Sequence, residues 1–133
     1  MSFPGGRYEQ GDVSLINTAL REANEEINLN TDEVNILGSM TELFIPVSNF
    51  LVHPVVATAF PQPDLNPNEK EVQQIFYLTL STLQDEKLIK RKNFISTSRG
   101  EIEAPYFDIN GFEIWGATAM ILSEFKALIG RNS

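Results

Sequence analysis

The chain has 133 residues, 42% of them hydrophobic and 10% aromatic, a composition that argues against intrinsic disorder. This size predicts a single domain over residues 1–133. The net charge of −8 opposes nonspecific nucleic-acid binding, which depends on clustered Lys and Arg. No stretch approaches the roughly 20 apolar residues of a membrane helix, and the lack of cysteine excludes disulfides and thiolate metal sites. We therefore expect a cytoplasmic protein without membrane or nucleic-acid partners.

The first predicted element is an amphipathic helix behind a loop rich in Gly and Pro. The loop runs from Met1 to about Gly11, and Asp12 is a suitable N-cap for a helix from about Val13 to Ile27. Asn28 follows the helix, at a position where a left-handed residue commonly ends it. The loop and helix are thus both expected within the first 28 residues.

Three glutamates lie close together on this helix. Viewed down the helix axis, with the direction of Glu22 set at 0°, Glu26 lies about 40° to one side and Glu25 about 60° to the other. The apolar stripe centres roughly 120° away, so the acids flank the buried face. Alone, such a run is more often a solvated face, and its combination with the Gly5-Gly6 loop favours metal binding.

The remainder of the chain has the patterns of strands, a loop and a closing helix. Strands are predicted over 34–37, 43–47, 50–59 and 72–80, with a loop over 60–68. Next come a short helix or turn over 81–88, a hairpin of 91–96 with 102–109 around Ser98-Arg99-Gly100, a turn at Asn110-Gly111, and a helix over 114–129.

The spacing around the glutamates is specific. Gly6 is followed by five residues, Asp12, eight residues and the run Arg21-Glu22-Ala23-Asn24-Glu25-Glu26-Ile27-Asn28-Leu29. This arrangement resembles the Nudix box: Gly, five residues, Glu, seven residues, then Arg-Glu-apolar-X-Glu-Glu-X-Gly-apolar. The chain departs from the pattern at Asp12, at the extra residue before Arg21, and at Asn28.

Several segments resemble one branch of that family, the coenzyme A pyrophosphatases. This branch is similar in its loop, Phe3-Pro4-Gly5-Gly6 here, and in its helix run, Thr18 to Glu22 here. Two of the departures, Asp12 in place of Glu and the extra residue before Arg21, also resemble this branch. Similar segments continue to about Leu122: Val52 to Val56, Asn68 to Val72, Phe76 to Leu78, Pro105 to Phe107, and Ile114 to Ala119.

The resemblance implies an α+β fold class, with a Nudix-like mixed β-sheet sandwiched between α-helices. Family members usually have two or more strands before the box, whereas five residues precede Gly6 here. We therefore expect a fold that lacks the usual N-terminal strands. Either a homodimer or a rearranged sheet is then expected to cover the exposed edge.

The same resemblance implies a metal-dependent hydrolytic site. Glu22, Glu25 and Glu26 are expected to bind Mg²⁺ or Mn²⁺ with the carbonyl of Gly6, while Arg21 holds the carboxylates in position. Hard carboxylate oxygens suit these cations better than softer metals. Neutralising a diphosphate and aligning a water behind phosphorus is chemistry that such a site can perform.

Other candidate residues have competing interpretations. Arg7 follows the Gly-Gly loop and is a candidate phosphate contact, and Glu71 is a further candidate carboxylate. His53 is expected to be a hydrogen-bonded core or edge residue rather than a metal ligand. Trp115 is expected in the core, with ligand stacking as the alternative. The basic run over 87–92 is expected to be a solvated edge.

Three functional hypotheses follow. The first is hydrolysis of the diphosphate of coenzyme A or an acyl-CoA, giving phosphopantetheine and adenosine 3′,5′-bisphosphate. The second keeps the chemistry but takes ADP-ribose or a nucleotide sugar as the small-molecule nucleoside diphosphate substrate. The third is a catalytically impaired Nudix-fold module that binds a ligand or partner.

Overall fold

A computed structural model describes residues 1–96 and 100–130 of the chain. These residues form two compact units. The N-terminal unit comprises residues 2–77, and the C-terminal unit comprises the described residues from Leu78 onward together with Met1. None of the helices in this described part has the length and apolarity needed to cross a bilayer.

The N-terminal unit contains one long helix and two antiparallel strand pairs. Helix α1 spans Leu15–Ile27. The strands are β1 (Val34–Ser39), β2 (Leu43–Ile45), β3 (Phe50–Val52) and β4 (Val55–Ala59), with 3₁₀ turns at Gln10–Asp12 and Thr31–Glu33. Strand β1 pairs with β4, and β2 pairs with β3.

Helix α1 begins later than the sequence predicts. Its N-cap is Ser14, whose Oγ accepts a hydrogen bond from the Asn17 N–H at 3.2 Å. The prediction that Asp12 caps the helix is wrong, because Val13 takes a left-handed φ of 70° and separates Asp12 from the first turn. The predicted end is confirmed: Asn28 has φ 58° and ψ 34°, and its N–H donates to the Asn24 carbonyl at 3.0 Å.

The strand predicted over 72–80 is not formed, although every one of these residues is described. Its ends belong to turns instead. The Val72 N–H donates to the Asn68 carbonyl at 2.7 Å, and Thr79 Oγ1 accepts from the Thr82 N–H at 3.1 Å. A run with strand composition needs a neighbouring ladder, and none of the described strands pairs with this run.

The C-terminal unit is a three-stranded antiparallel sheet with two helices. It contains α2 (Leu80–Leu83), a 3₁₀ turn (Glu86–Leu88), β5 (Ile89–Ser96), β6 (Gly100–Ile109), β7 (Phe112–Ile114) and α3 (Gly116–Gly130). The predicted β5–β6 hairpin is confirmed, although Ser98 and Arg99 of its expected turn lie outside the described residues.

The second hairpin follows from turn chemistry. Asn110 and Gly111 have φ values of 52° and 83°, which suit the two-residue turn that joins β6 to β7. This places Ile114 in a strand, so the prediction that the closing helix starts there is wrong. Helix α3 starts at Gly116.

The core of the C-terminal unit lies on one face of its sheet. The buried side chains of Phe107, Ile109 and Ile114 pack with Leu83 of α2 and Leu122 of α3. Burying apolar area of this kind is the main stabilising contribution to a fold. With its helices and antiparallel strand pairs, the described chain has the predicted α+β class.

Candidate metal and active site

The candidate site is built on an ion pair between helix α1 and the loop before it. Arg21 donates from Nε to Oδ1 of Asp12 at 2.7 Å and from Nη2 to Oδ2 at 3.2 Å. The fork of a guanidinium matches a carboxylate in this two-point geometry, which fixes both side chains. Asp12 therefore fixes the orientation of the Arg21 guanidinium.

Two further donors complete the surroundings of Asp12. Its Oδ2 accepts from the Glu9 N–H at 2.8 Å and from Thr18 Oγ1 at 2.9 Å. The hydrogen bonds from Arg21 and Glu9 hold the pKa of Asp12 far below its ordinary value, although burial opposes them. Asp12 is only 6% exposed, so this carboxylate needs its full set of partners.

Arg21 extends from Asp12 toward two of the glutamates. Its Nη1 lies 3.1 Å from Oε1 of Glu22 and 3.3 Å from Oε2 of Glu25. Its Nη2 also donates to the carbonyl of Arg7 at 3.0 Å, which ties the N-terminal loop to the helix. One guanidinium thus connects Asp12, two helix carboxylates and the loop backbone.

Gly6 lies directly against Glu22. A Cβ added at Gly6 would come within 2.6 Å of Glu22 Cδ, closer than real side chains approach one another. A side chain at position 6 would therefore displace the end of the Glu22 side chain, and glycine leaves that carboxylate in its observed place. At Gly5, by contrast, an added Cβ would meet nothing within 4 Å.

Glu26 is the glutamate with the clearest electrostatic perturbation. Burial raises the pKa of Glu26, the carboxylates of Glu22 and Glu71 raise it further, and a hydrogen bond from the Gly5 N–H acts in the opposite direction. Glu22 and Glu71 are therefore each near enough to Glu26 for their charges to repel its carboxylate. Excess negative charge in a half-buried place is an environment that a cation stabilises.

Backbone hydrogen bonds position the segment that carries Glu71. The Asn68 N–H donates to the Glu26 carbonyl at 2.8 Å, and the Asn66 N–H donates to the Ile27 carbonyl at 3.0 Å. The last turn of α1 is thereby joined to the loop before Glu71. No sequence pattern predicts this junction, because the two partners are about 40 residues apart.

The remaining candidates have ordinary partners. The guanidinium of Arg7 lies 4.7 Å from the centroid of the Phe50 ring. His53 Nδ1 lies 3.3 Å from Oε1 of Glu42. In the basic run, Arg91 pairs with Glu103 at 2.7 Å, and Lys90 and Lys92 pair with the carboxylates of Asp108 and Glu113.

The donor set suits a hard divalent cation. It consists of carboxylate oxygens and a glycine backbone held against one of them, which is the chemistry that Mg²⁺ and Mn²⁺ prefer. Across residues 1–96 and 100–130, no group of three or more His, Asp or Glu side chains converges tightly enough to hold an ion as it stands. Arg21 contacts Glu22 and Glu25 in this arrangement. The assignment of the glutamates as ligands stays a prediction.

Comparison with known proteins agrees with this geometry. A model of the NUDIX domain matches residues 1–97, which include the Gly-Gly loop, Asp12 and all of α1. The chain belongs to the Nudix family, and the fold expected from the resemblance is confirmed at that level.

One of two similar proteins carries a name that matches the predicted branch, and the other is named only as a Nudix hydrolase. A human protein named mitochondrial coenzyme A diphosphatase NUDT8 is 32% identical over 123 residues, covering 91% of this chain and 52% of that protein. A Photorhabdus laumondii protein named uncharacterized Nudix hydrolase NudL is 35% identical over 126 residues, covering 93% of this chain and 65% of that protein. The chain thus spans between about half and two thirds of the length of these relatives.

Two contributors to the site were missed by sequence reasoning. The sequence pattern contains Thr18 only as part of a family-like run, yet its hydroxyl donates to Asp12 and the residue is 4% exposed. The Glu9 backbone makes the second missed contact. A polar Thr placed three residues before Arg21, and so on nearly the same helix face, was the available signal.

Proposed function

We propose that this chain is a metal-dependent hydrolase of a diphosphate linkage in a nucleoside diphosphate derivative. The proposed substrate is coenzyme A or an acyl-CoA, with phosphopantetheine and adenosine 3′,5′-bisphosphate as products of coenzyme A cleavage. The observation that carries the proposal is the bond set through which Asp12 and Arg21 hold Glu22 and Glu25. The name of the human relative supports the choice of coenzyme A.

In this proposal, Glu22, Glu25 and Glu26 hold Mg²⁺ or Mn²⁺ together with the Gly6 carbonyl. When bound, such a cation supplies positive charge against the diphosphate oxygens. Arg21 restricts the rotamers of two of these carboxylates, so less conformational freedom is lost when a ligand arrives.

Two further residues have proposed roles outside the helix. Glu71 is a candidate fourth carboxylate, because its charge already acts on Glu26. Arg7 is a candidate phosphate contact, and its position over Phe50 leaves the planar guanidinium held from one side. If Arg7 binds the substrate equally well in the ground state and in the transition state, Arg7→Ala is expected to raise KM more than it lowers kcat.

A substrate panel tests the proposal. Purified protein is incubated with coenzyme A, ADP-ribose and a nucleotide sugar in Mg²⁺ or Mn²⁺, and products are separated by chromatography. Coenzyme A is expected to be cleaved fastest, and EDTA is expected to abolish turnover. Faster cleavage of ADP-ribose than of coenzyme A would identify ADP-ribose as the better substrate and refute the choice of coenzyme A. No turnover of any compound in the panel would favour the hypothesis of a binding module without activity.

Variants test the residues. Glu25→Gln and Glu26→Gln are each expected to lower kcat/KM by roughly two or more powers of ten, as loss of charge stabilisation at a reacting centre does. Glu33→Gln makes the same chemical change at an exposed position and is the control. Full activity in the double variant Glu25→Gln, Glu26→Gln would refute the metal-site assignment.

We also propose that the chain forms a homodimer. Large apolar side chains are exposed on the β2–β3 pair, including Phe44 at 54% and Leu51 at 49%. Covering such a surface favours association. Sedimentation of a monomer at all concentrations would refute this part of the proposal.

A cytoplasmic location is proposed as well. It rests on the cysteine-free composition, which suits a reducing compartment. The human relative is named as mitochondrial, so fractionation of cells that express the tagged chain separates the two locations.

A further inference from the structure

The ring of Phe50 lies against the guanidinium of Arg7. The central carbon of that guanidinium is 4.7 Å from the centroid of the Phe50 ring. At this distance a positive charge is attracted electrostatically to the face of an aromatic ring. Phe50 is the first residue of β3, whereas Arg7 belongs to the loop before α1. The contact therefore joins two segments of the N-terminal unit that are far apart in the sequence.

Phe50 lies on the more buried face of the β2–β3 pair. Phe50 is paired with Ile45, and Phe44 is paired with Leu51. Because successive side chains of a strand alternate between faces, these two pairs lie on opposite faces. Ile45 is half-buried and Phe50 is 37% exposed, whereas Phe44 and Leu51 are both more exposed. The ring that meets Arg7 is thus apart from the surface proposed for association of two copies.

The backbone of Arg7 is fixed by helix α1. Its carbonyl accepts from Arg21 Nη2 at 3.0 Å, and Arg21 Nη1 lies 3.1 Å from Oε1 of Glu22. Gly6, the residue before Arg7, lies so close to Glu22 that an added Cβ would come within 2.6 Å of its Cδ. Arg7 is therefore held at two points, its carbonyl by α1 and its side chain by β3, and it adjoins the carboxylates of the candidate site.

Arg7 differs from two other arginines in the kind of group that holds it. Arg21 pairs with Asp12 at 2.7 Å, and Arg91 pairs with Glu103 at 2.7 Å. The guanidinium of Arg7 is held by an aromatic ring. A carboxylate partner would neutralise the positive charge and compete with a phosphate for it, whereas a ring carries no net charge and leaves the charge of Arg7 uncancelled.

A ring also leaves the hydrogen-bonding capacity of the guanidinium in place. Guanidinium carries five N–H donors in a rigid planar fork, which matches two oxygens of a phosphate at once. A ring restricts where this fork lies without taking up its donors as carboxylate oxygens do. Restricting a long side chain in advance lowers the entropy lost when a ligand binds.

We propose that Phe50 is a positioning residue for substrate binding. Its ring holds the Arg7 guanidinium beside the candidate site with its charge and N–H donors available to a phosphate oxygen. The inference rests on the proposed function, in which Arg7 is a phosphate contact, and it adds that the β2–β3 hairpin contributes to substrate affinity through one aromatic ring.

The first experiment measures the contact without any turnover. Protons above the face of an aromatic ring are shifted upfield in NMR spectra, so the Arg7 Nε–H signal of the metal-free protein reports on Phe50. Arg7→Lys removes this signal and identifies it. Phe50→Leu is expected to move the signal downfield, whereas Phe44→Leu, which removes an aromatic from the opposite face of the hairpin, is expected to leave it in place. An unchanged signal in Phe50→Leu would overturn the proposal.

The second experiment separates positioning of Arg7 from a general structural effect. With coenzyme A and Mg²⁺, Phe50→Leu is expected to raise KM roughly 2- to 5-fold at nearly constant kcat, the equivalent of an exposed cation–π contact. Phe50→Tyr keeps the ring and is expected to match the parent. In the Arg7→Ala background, Phe50→Leu is expected to have no further effect on KM. An equal rise of KM in both backgrounds would overturn the proposal.

The third experiment distinguishes failure of the inference from failure of the proposed function. Binding of inorganic pyrophosphate in Mg²⁺ is measured by calorimetry for the same variants, and Phe50→Leu and Arg7→Ala are both expected to weaken it. If the parent does not cleave coenzyme A, the proposed function is refuted, and the comparison of variants is made on pyrophosphate affinity. Equal affinity in the parent and in Phe50→Leu, or no binding by the parent, would overturn the inference. Circular dichroism and melting curves of each variant confirm that folded protein is measured.

Discussion

Arg21 and Asp12 form a two-point ion pair, with Nε to Oδ1 at 2.7 Å and Nη2 to Oδ2 at 3.2 Å. Arg21 reaches Glu22 and Glu25 with its remaining nitrogen, so the position of the carboxylates depends on a residue that has no expected contact with substrate.

Replacing Asp12 with Asn therefore tests how the site is held. Asparagine cannot accept both guanidinium bonds as a carboxylate does, so Arg21 is expected to lose its fixed orientation. Activity is expected to fall roughly 10- to 100-fold, as when other residues that orient metal ligands are changed. Metal affinity, measured by calorimetry, should fall with it. Asp64→Asn, at an exposed position in the loop after β4, should leave both values unchanged.

The ionisation of Asp12 is a second prediction. Hydrogen bonds from Arg21 and the Glu9 N–H place its folded pKa far below the ordinary value. For an acid with a depressed pKa, the stabilisation is complete above the unfolded pKa and is lost as pH falls through the folded one. Carbon-13 NMR of the carboxyl should show Asp12 still ionised where exposed aspartates have become protonated. Titration together with those aspartates would contradict the network.

Gly6→Ala is expected to damage the site while the fold persists. The added methyl would lie within 2.6 Å of Glu22 Cδ, so the carboxylate has to move. We expect kcat/KM to fall by at least about tenfold, because small displacements at a reactive centre are costly. Gly5→Ala is the matched control, since its Cβ would meet nothing within 4 Å and its N–H is kept. Equal losses in the two variants would show that the loop tolerates no side chain at all.

Glu26→Gln should make the protein more stable and less active. The folded pKa of Glu26 lies above its unfolded value, so the folded state binds more protons in the window between them, and stability falls as pH rises through it. Glutamine removes that loss, and because solvent screens this partly exposed carboxylate the gain above the window is expected to be at most about 1 kcal/mol. Denaturant unfolding at pH 8 and at pH 4 should show the gain only at pH 8. Glu33→Gln should show none.

Sequence reasoning predicted the end of helix α1 correctly, because local backbone geometry determines it. Asn28 was expected in the left-handed region because a helix end requires such a residue, and its φ is 58°. The proximity of Arg21 to Glu25 follows from their spacing of four residues, which places both on one side of the helix.

The parts that it missed depend on contacts between distant segments. An acid just before a helix resembles a cap, but Asp12 instead binds Arg21, nine residues further on, and Ser14 makes the cap. A run such as 72–80 has strand composition, whereas pairing requires a partner that composition does not reveal. The expectation that Trp115 belongs to the core is also wrong, because its ring stacks on that of Phe94 with centroids 5.0 Å apart and the residue is 57% exposed.

The hydrogen bonds from Asn66 and Asn68 to the last carbonyls of α1 have a consequence for variation of the chain. Both bonds use main-chain atoms, so side-chain replacements at these two positions leave the donors in place, and only proline would remove one. The two positions nevertheless differ, because the Asn68 Oδ1 also accepts from the Lys70 N–H at 3.2 Å, directly before Glu71. Position 66 can therefore change its side chain more freely, whereas Asn68 holds both the end of α1 and the turn that leads to Glu71.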